Sequence, residues 1–229
     1  VKSIDINFDG GEGFEDRAIA PFASTIHIAC GGHTGDTASM NAAIRVAKEN
    51  GLAIGAHPSY PDREHFGRKN VDIRPSELAS LLESQILPLL ELAERAACQV
   101  SQVKLHGALY HRATHHEAIA YAITELLSLV DRRLLIVGVA GGALDSAARA
   151  VGLRFVREGF ADRRYRPDGT LAPRSEPDAL IQDPARAAQQ ALRLDCDSVC
   201  VHSDTPNAAM IAAAVRDAFA ARGVKVEAP

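Results

Sequence analysis

The residues most able to do chemistry in this chain sit where short apolar runs stop. Seven such runs end in polar clusters: Asp5, Asn7 and Asp9 with Glu12 behind them, then Cys30-Gly31-Gly32-His33, His57, Lys104 and His106, Gly141-Gly142, Glu158 with Asp162 and Arg163, and His202-Ser203-Asp204. Paired carboxylates push each other's pKa apart, which suits acid–base work or cation binding. Imidazoles at 33, 57, 106 and 202 can shuttle protons or ligate a divalent metal. With Asp5, Glu12, His33 and His57 as candidate ligands, a metal site is open, although no compact H-x-x-x-H motif is present. Lys104 stands two residues before His106, so both face one side of a strand. Arginines 68, 163 and 174 can grip a carboxylate or phosphate bidentately.

Asp5, Asn7 and Asp9 alternate, so they share one face of the first strand. If that strand lies inside a barrel, three polar groups are buried together and need partners. If it is a sheet edge, they are merely solvated. One strand-ending histidine is most often a hydrogen-bonded core residue, but four at equivalent positions point to a common axis. His27, His65, His115 and His116 fall off that pattern and read as ordinary structural residues, and Arg164 and Arg166 read as surface ion pairs. Gly31-Gly32 and Gly141-Gly142 follow strands, where backbone amides can cradle an anion. Cys30, inside an apolar strand, reads as a buried, inert thiol.

These groups need a scaffold, and the rest of the chain supplies an alternation of strand and helix. Strands are expected at 3–8, 25–30, 52–56, 102–106, 134–139, 153–157 and 198–202. Helices are expected at 37–50, 75–97 (with Pro88 kinking it), 115–130, 143–151, 184–194 and 206–222, and 224–227 is a short strand or a tail. Such alternation means parallel strands with right-handed crossovers. Polar groups after nearly every strand favour a closed, TIM-like α/β barrel of about seven strands over an open sheet, which gathers its site at one switch point. The stretches 57–74 and 161–183 are expected to cover the barrel mouth, and residues 1–229 to form one domain.

Composition narrows the function. The chain has 229 residues and a formal charge of -4, with no run of like charge, which argues against nucleic acid or an anionic membrane as partner. No apolar stretch is long enough to span a bilayer and no signal peptide is evident, so the expected location is the cytoplasm. Four cysteines without paired C-x-x-C spacing fit reduced thiols. The P-loop pattern G-x-x-x-x-G-K-[ST] is absent, so any ATP use needs another binding mode or a partner protein. Ser203 lacks a G-x-S-x-G elbow, against a serine hydrolase.

Seven stretches carry a resemblance: 5–12 (DINFDGGE), 29–36 (ACGGHTGD), 54–68 (IGAHPSYPDREHFGR), 103–110 (VKLHGALY), 158–165 (EGFADRRY), 169–174 (GTLAPR) and 201–206 (VHSDTP). In order and spacing they resemble the LamB/YcsF family, departing at Gly32, Thr34, Leu105, His111 and Ser203 while keeping the ionisable positions. The resemblance implies a β/α barrel of the glycoside hydrolase/deacetylase type. It also implies ATP-dependent opening of the 5-oxoproline (pyroglutamate) lactam to L-glutamate, with this chain as the A component of a 5-oxoprolinase beside the B and C subunits. ATP, with Mg2+ as its companion, would phosphorylate the lactam oxygen. Water would then attack, with Asp9 or Glu12 as base, aided by His106 or His202. On this reading Asp5, Asp9, Glu12, Lys104, His106 and His202 are catalytic. Asn7, His33, His57, Arg68, Glu158, Asp162, Arg163, Arg174 and Asp204 bind substrate or anion. Two alternatives stay open: a metal-dependent carbohydrate deacetylase or glycosidase acting alone, and a non-catalytic subunit that binds a small acid.

Overall fold

The computed structural model describes residues 2–229. Its elements in chain order are β1 (Ser3–Gly10), α1 (Asp16–Ile19), β2 (Thr25–Ala29), α2 (Thr37–Asn50), β3 (Ala53–His57), α3 (Pro75–Arg95), β4 (Val100–Lys104), α4 (Gly107–His115), α5 (Glu117–Val130), β5 (Leu135–Gly138), α6 (Ala143–Val151), β6 (Arg154–Phe160), α7 (Pro184–Ala191), β7 (Ser198–Cys200), α8 (Ala208–Ala220) and β8 (Lys225–Val226). The sheet runs β2-β3-β4-β5-β6-β7-β1 and closes through a β1–β2 pairing, with every pairing parallel. The fold is therefore the expected seven-stranded TIM-like barrel ringed by helices. β8 lies outside the closed sheet, beside Ser3 and Ile4. Among the described residues, no helix is long and apolar enough to cross a membrane.

Closure settles the two readings of the first strand. β1 sits between β2 and β7, with no free edge along Asp5, Asn7 and Asp9, and all three are buried. Their neighbours Ile4, Ile6 and Phe8 point outward and join the large apolar core between sheet and helices. The barrel interior is different: its apolar part is a separate small cluster of Leu135, Val137 and Val156. Many of the remaining inward positions hold polar groups, among them Thr25, Gln102 and Ser198.

Several elements differ from expectation. β1 runs two residues further and takes in Asp9. β6 reaches Phe160, so Glu158 is a strand residue rather than a loop one. The segment expected as one helix from 115 is preceded by a separate helix, α4, which starts directly after His106. Gly107 makes that abrupt start possible. Its φ is +57°, and a Cβ there would lie 2.5 Å from the Gly67 carbonyl oxygen, which Ala108 N–H uses at 2.9 Å. Gly107→Ala is expected to cost more than about 1 kcal/mol in urea unfolding, since the strained φ and the contact act together. α3 holds Pro88 within it and ends at Arg95, two residues short of the expected 97. The 161–183 stretch, expected only as a cover for the barrel mouth, carries two antiparallel bridges, Arg163 with Leu180 and Tyr165 with Leu171.

In each of the two expected anion cradles the first amide is already in use. Gly141 N–H donates to Asp145 at 3.0 Å, and Gly31 N–H donates to the Thr34 carbonyl at 2.8 Å. Four free cysteines are present, and burial pushes the Cys30 thiol up to about 12, in keeping with an inert side chain.

Candidate active site

A cavity of about 600 Å³ opens at the C-terminal ends of the strands. Asp9, Glu12, His57, Arg68, Lys104, His106, Glu158, Arg163, Arg174, His202 and Asp204 all line it. Every one was singled out from sequence, and they meet at one mouth because parallel strands present the same end upward. The two long insertions roof the cavity through Arg68 and through residues 171–175.

At the floor, Lys104 is almost wholly enclosed. Its Nζ lies 2.5 Å from Asp9 Oδ1, 3.2 Å from Glu158 Oε1, 2.8 Å from Asn7 Oδ1 and 3.4 Å from Cys200 Sγ. Burial alone would push the ammonium down, but Asp9, Cys200 and Glu158 hold it well above the ordinary lysine value. Burial would likewise push Asp9 up, yet His57 and Lys104 keep it well below the carboxylate range. Lys104 and Asp9 are thus a charged pair. Asn7, expected to bind substrate or anion, does not line the cavity; it is a buried bridge, donating to Glu158 at 3.1 Å and to Ser198 at 2.7 Å. Glu158 also accepts from Tyr110 at 2.8 Å.

One wall carries His57, His106 and Glu12, with His33 behind Glu12. His33 Nε2 lies 2.7 Å from Glu12 Oε1, and its Nδ1 lies 2.9 Å from Ser59 Oγ. His57 Nδ1 donates to the Lys104 carbonyl at 2.7 Å, and His106 Nε2 donates to the Phe66 carbonyl at 2.9 Å. The remaining nitrogens, His57 Nε2 and His106 Nδ1, face each other at 3.0 Å. Burial pushes His33 and His106 down to about 4, and His57 well below its ordinary value. Burial and the Asp9 charge raise Glu12 to about 7.

The opposite wall holds a dyad. His202 Nδ1 lies 2.9 Å from Asp162 Oδ1, and the Asp162 carboxylate also accepts from His202 N–H and from Thr205 Oγ1. Nδ1 is committed to Asp162, so Nε2 is the free nitrogen. Phe160 stacks on the ring at 5.4 Å between centroids.

The arginines divide in two. Arg68 and Arg174 both pair with Asp204, at 2.6 and 2.8 Å, so that carboxylate already occupies their forks. Arg163 is buried, spends one Nη on the Ala172 carbonyl, and leaves Nε with no partner. A buried cationic donor without a partner is costly and calls for an anion. Arg164 and Arg166 both pair with Glu176 away from the cavity, as expected.

Asp5 requires a correction. It was expected among the catalytic and metal-holding groups, but it lies below the cavity, deeper in the barrel. Ser24, Thr25 and Ser198 hydroxyls all donate to it. Its inward direction was right, but its depth along the strand was not. His33 likewise does not line the cavity; it stands behind Glu12. Tyr110, His111 and Phe160 line the cavity and were missed. Tyr110 is one helical turn past His106 in α4, a signal visible only once that helix is recognised.

His27 was set aside as ordinary but proves to be a buried interior residue. Its ring fits because Gly55 beside it has no Cβ; one built there would lie 2.2 Å from the imidazole. Neither ring nitrogen has a hydrogen-bond partner among the described residues. Burial and then the Lys104 charge lower it from 6.5 to about 3. The unfolded chain therefore binds a proton that the folded one refuses, and stability falls as pH drops from 6.5 towards 3. In urea melts across that window, His27→Phe is expected to flatten the slope by up to about 1.4 kcal/mol per pH unit. An unchanged slope would contradict the assignment.

Known proteins resemble this chain over its whole length. It is 42% identical to the 5-oxoprolinase A subunit of Methylococcus capsulatus, covering 100% of this chain and 96% of that one. It is 40% identical to the protein of the same name from Chloroflexus aurantiacus, covering 100% and 99%. Among solved structures, the lactam utilization protein from Thermus thermophilus superposes with a TM-score of 0.93 at 36% identity, covering 99% and 100%. A peptidoglycan N-acetylglucosamine deacetylase catalytic domain from Eubacterium rectale has a TM-score of 0.55 at 13% identity, covering 100% and 88%, a likeness of fold alone. The LamB/YcsF family model matches residues 4–229, and the chain belongs to that family.

Proposed function

We propose that this chain is the hydrolytic component of an ATP-dependent 5-oxoprolinase, its A subunit, opening the lactam of 5-oxoproline to L-glutamate in company with the B and C subunits. One observation carries the reading. A single cavity joins a buried arginine that lacks an anion, a lysine ammonium, and a histidine oriented by a buried carboxylate. The full-length likeness to proteins named as the 5-oxoprolinase A subunit supports it.

Arg163, whose guanidinium lines the cavity, takes the substrate carboxylate. His202 Nε2 accepts the proton of the attacking water, while Asp162 holds the ring and steadies its charge. We assign the base to His202 rather than Asp9, whose charge is locked against Lys104. Lys104 stabilises negative charge growing on the lactam oxygen or on a phosphoryl group there.

ATP, with Mg2+, transfers its γ-phosphoryl to the lactam oxygen, releasing ADP. A first water adds to the carbonyl carbon and the C–N bond breaks, the ring nitrogen taking up a proton. A second water releases phosphate from the resulting acyl phosphate. Any nucleotide contact on this chain needs a mode other than a P-loop, whose pattern is absent, or a partner subunit.

The test combines the purified chain with its B and C partners, ATP and 5-oxoproline. Glutamate and ADP are expected together, and loss of both on omitting this chain or ATP. No glutamate from the complete mixture, with related lactams also inert, would refute the reading. Arg163→Met is expected to raise KM for 5-oxoproline by about 10–100-fold, the worth of one charge-assisted contact.

A further inference from the structure

We propose that Glu12, His57 and His106 form a three-ligand site for a divalent transition ion of the zinc class, open to the cavity, with His33 as a positioning residue behind Glu12. Hydrogen-bond logic carries the argument. A backbone carbonyl can only accept, so the contact from His57 Nδ1 to the Lys104 carbonyl fixes the proton on Nδ1. The contact from His106 Nε2 to the Phe66 carbonyl fixes that proton on Nε2. The nitrogens left over, His57 Nε2 and His106 Nδ1, are both lone-pair acceptors, yet they lie 3.0 Å apart and point at each other. Glu12 Oε1, a further acceptor, lies 3.8 Å from the first and 3.4 Å from the second. The two imidazole lone pairs have no hydrogen between them and repel, unless a cation sits there with the ionised Glu12 carboxylate as its third ligand.

The geometry suits a metal ion. Bonds of about 2.0–2.1 Å at near-tetrahedral angles place ligand atoms roughly 3.3 Å apart. The three separations here are 3.0, 3.4 and 3.8 Å. The two ligating rings are perpendicular, at 89°, so both can aim in-plane lone pairs at one point. His33 cannot be a fourth ligand in this arrangement, because its ring stacks parallel on His106 at 3.6 Å. Its Nε2 instead faces Glu12 at 2.7 Å, and its Nδ1 is anchored on the Ser59 hydroxyl, which itself donates to the Tyr60 carbonyl. Ligating histidines typically anchor their second nitrogen on a carbonyl or carboxylate, as His57 and His106 do here. Glu12, His57 and His106 line the cavity and His33 does not, which leaves open coordination positions facing the space where substrate would bind. Two imidazoles and one carboxylate favour zinc or cobalt over magnesium or calcium.

The experiment treats the purified chain with chelator and titrates the metal-free protein with Zn2+ by calorimetry and with Co2+ by visible absorption. One ion per chain is expected, with Co2+ giving visible ligand-field bands. His106→Gln and Glu12→Gln should each weaken Zn2+ binding at least 100-fold. His33→Gln should weaken it about 10–100-fold while keeping the one-to-one stoichiometry, as befits a residue that orients a ligand. Circular dichroism melts of each metal-free variant confirm folding, and any variant that fails to fold is replaced by His57→Asn. Absence of zinc and cobalt binding to the intact chain would overturn the proposal, as would binding indifferent to Glu12 and His106. Neither readout uses lactam turnover, so the metal site and the proposed reaction stand or fall separately.

Discussion

Lys104→Met is expected to cost about 3–5 kcal/mol of folding stability and to remove turnover. The side chain is 2% exposed and serves Asp9, Glu158 and Asn7 at once. Taking away its charge strands two carboxylates inside the barrel, where an unpaired charge is far more costly than a missing contact. Urea unfolding at pH 7 measures the loss. In the double variant with Asp9→Asn, part of that stability should return, because one stranded carboxylate is gone, while activity stays absent. A single variant within about 1 kcal/mol of the parent would show that the ammonium is not the hub the distances imply.

A second large effect is expected from Asp162→Asn, which should lower kcat by about 10²–10⁴-fold and move KM little. Asp162 accepts three hydrogen bonds, two of them from His202. An amide in its place can offer N–H to the ring, turning the imidazole to the tautomer whose Nε2 carries the proton and cannot accept another. Substrate contacts through Arg163 would be untouched. Steady-state kinetics of glutamate release in the complete mixture check this, and an equal fall in His202→Gln would tie the effect to the dyad. A variant whose loss lay wholly in KM would count against it.

Much of this was legible in the chain. The period-two pattern of β1 and the polar stops after each apolar run were enough to infer a closed barrel with one mouth, since these depend on local periodicity and parallel topology. What local pattern could not give was depth. Asp5 and Asp9 are alike in sequence, each an inward aspartate, but one is fastened to three hydroxyls below the cavity and the other faces it. Strand register and barrel stagger decide which is which, and both are set by pairings far along the chain. The same holds for Arg68, Arg174 and Asp204, each a plausible substrate contact alone but partners of one another once folded. His27 looked ordinary because its setting depends on Gly55, a residue of the neighbouring strand.

In β1 the odd-numbered positions carry Asp5, Asn7 and Asp9 while the even-numbered ones carry Ile4, Ile6 and Phe8. Adhesion to the helices and reactivity are thereby assigned to opposite faces of a single ribbon. Selection can rework the inner set for another substrate while the outer set goes on holding the shell together. The reverse also follows: the few inner aliphatics, Leu135, Val137 and Val156, leave the lumen little grip of its own, so a new inner side chain must bring its own hydrogen-bonding partner.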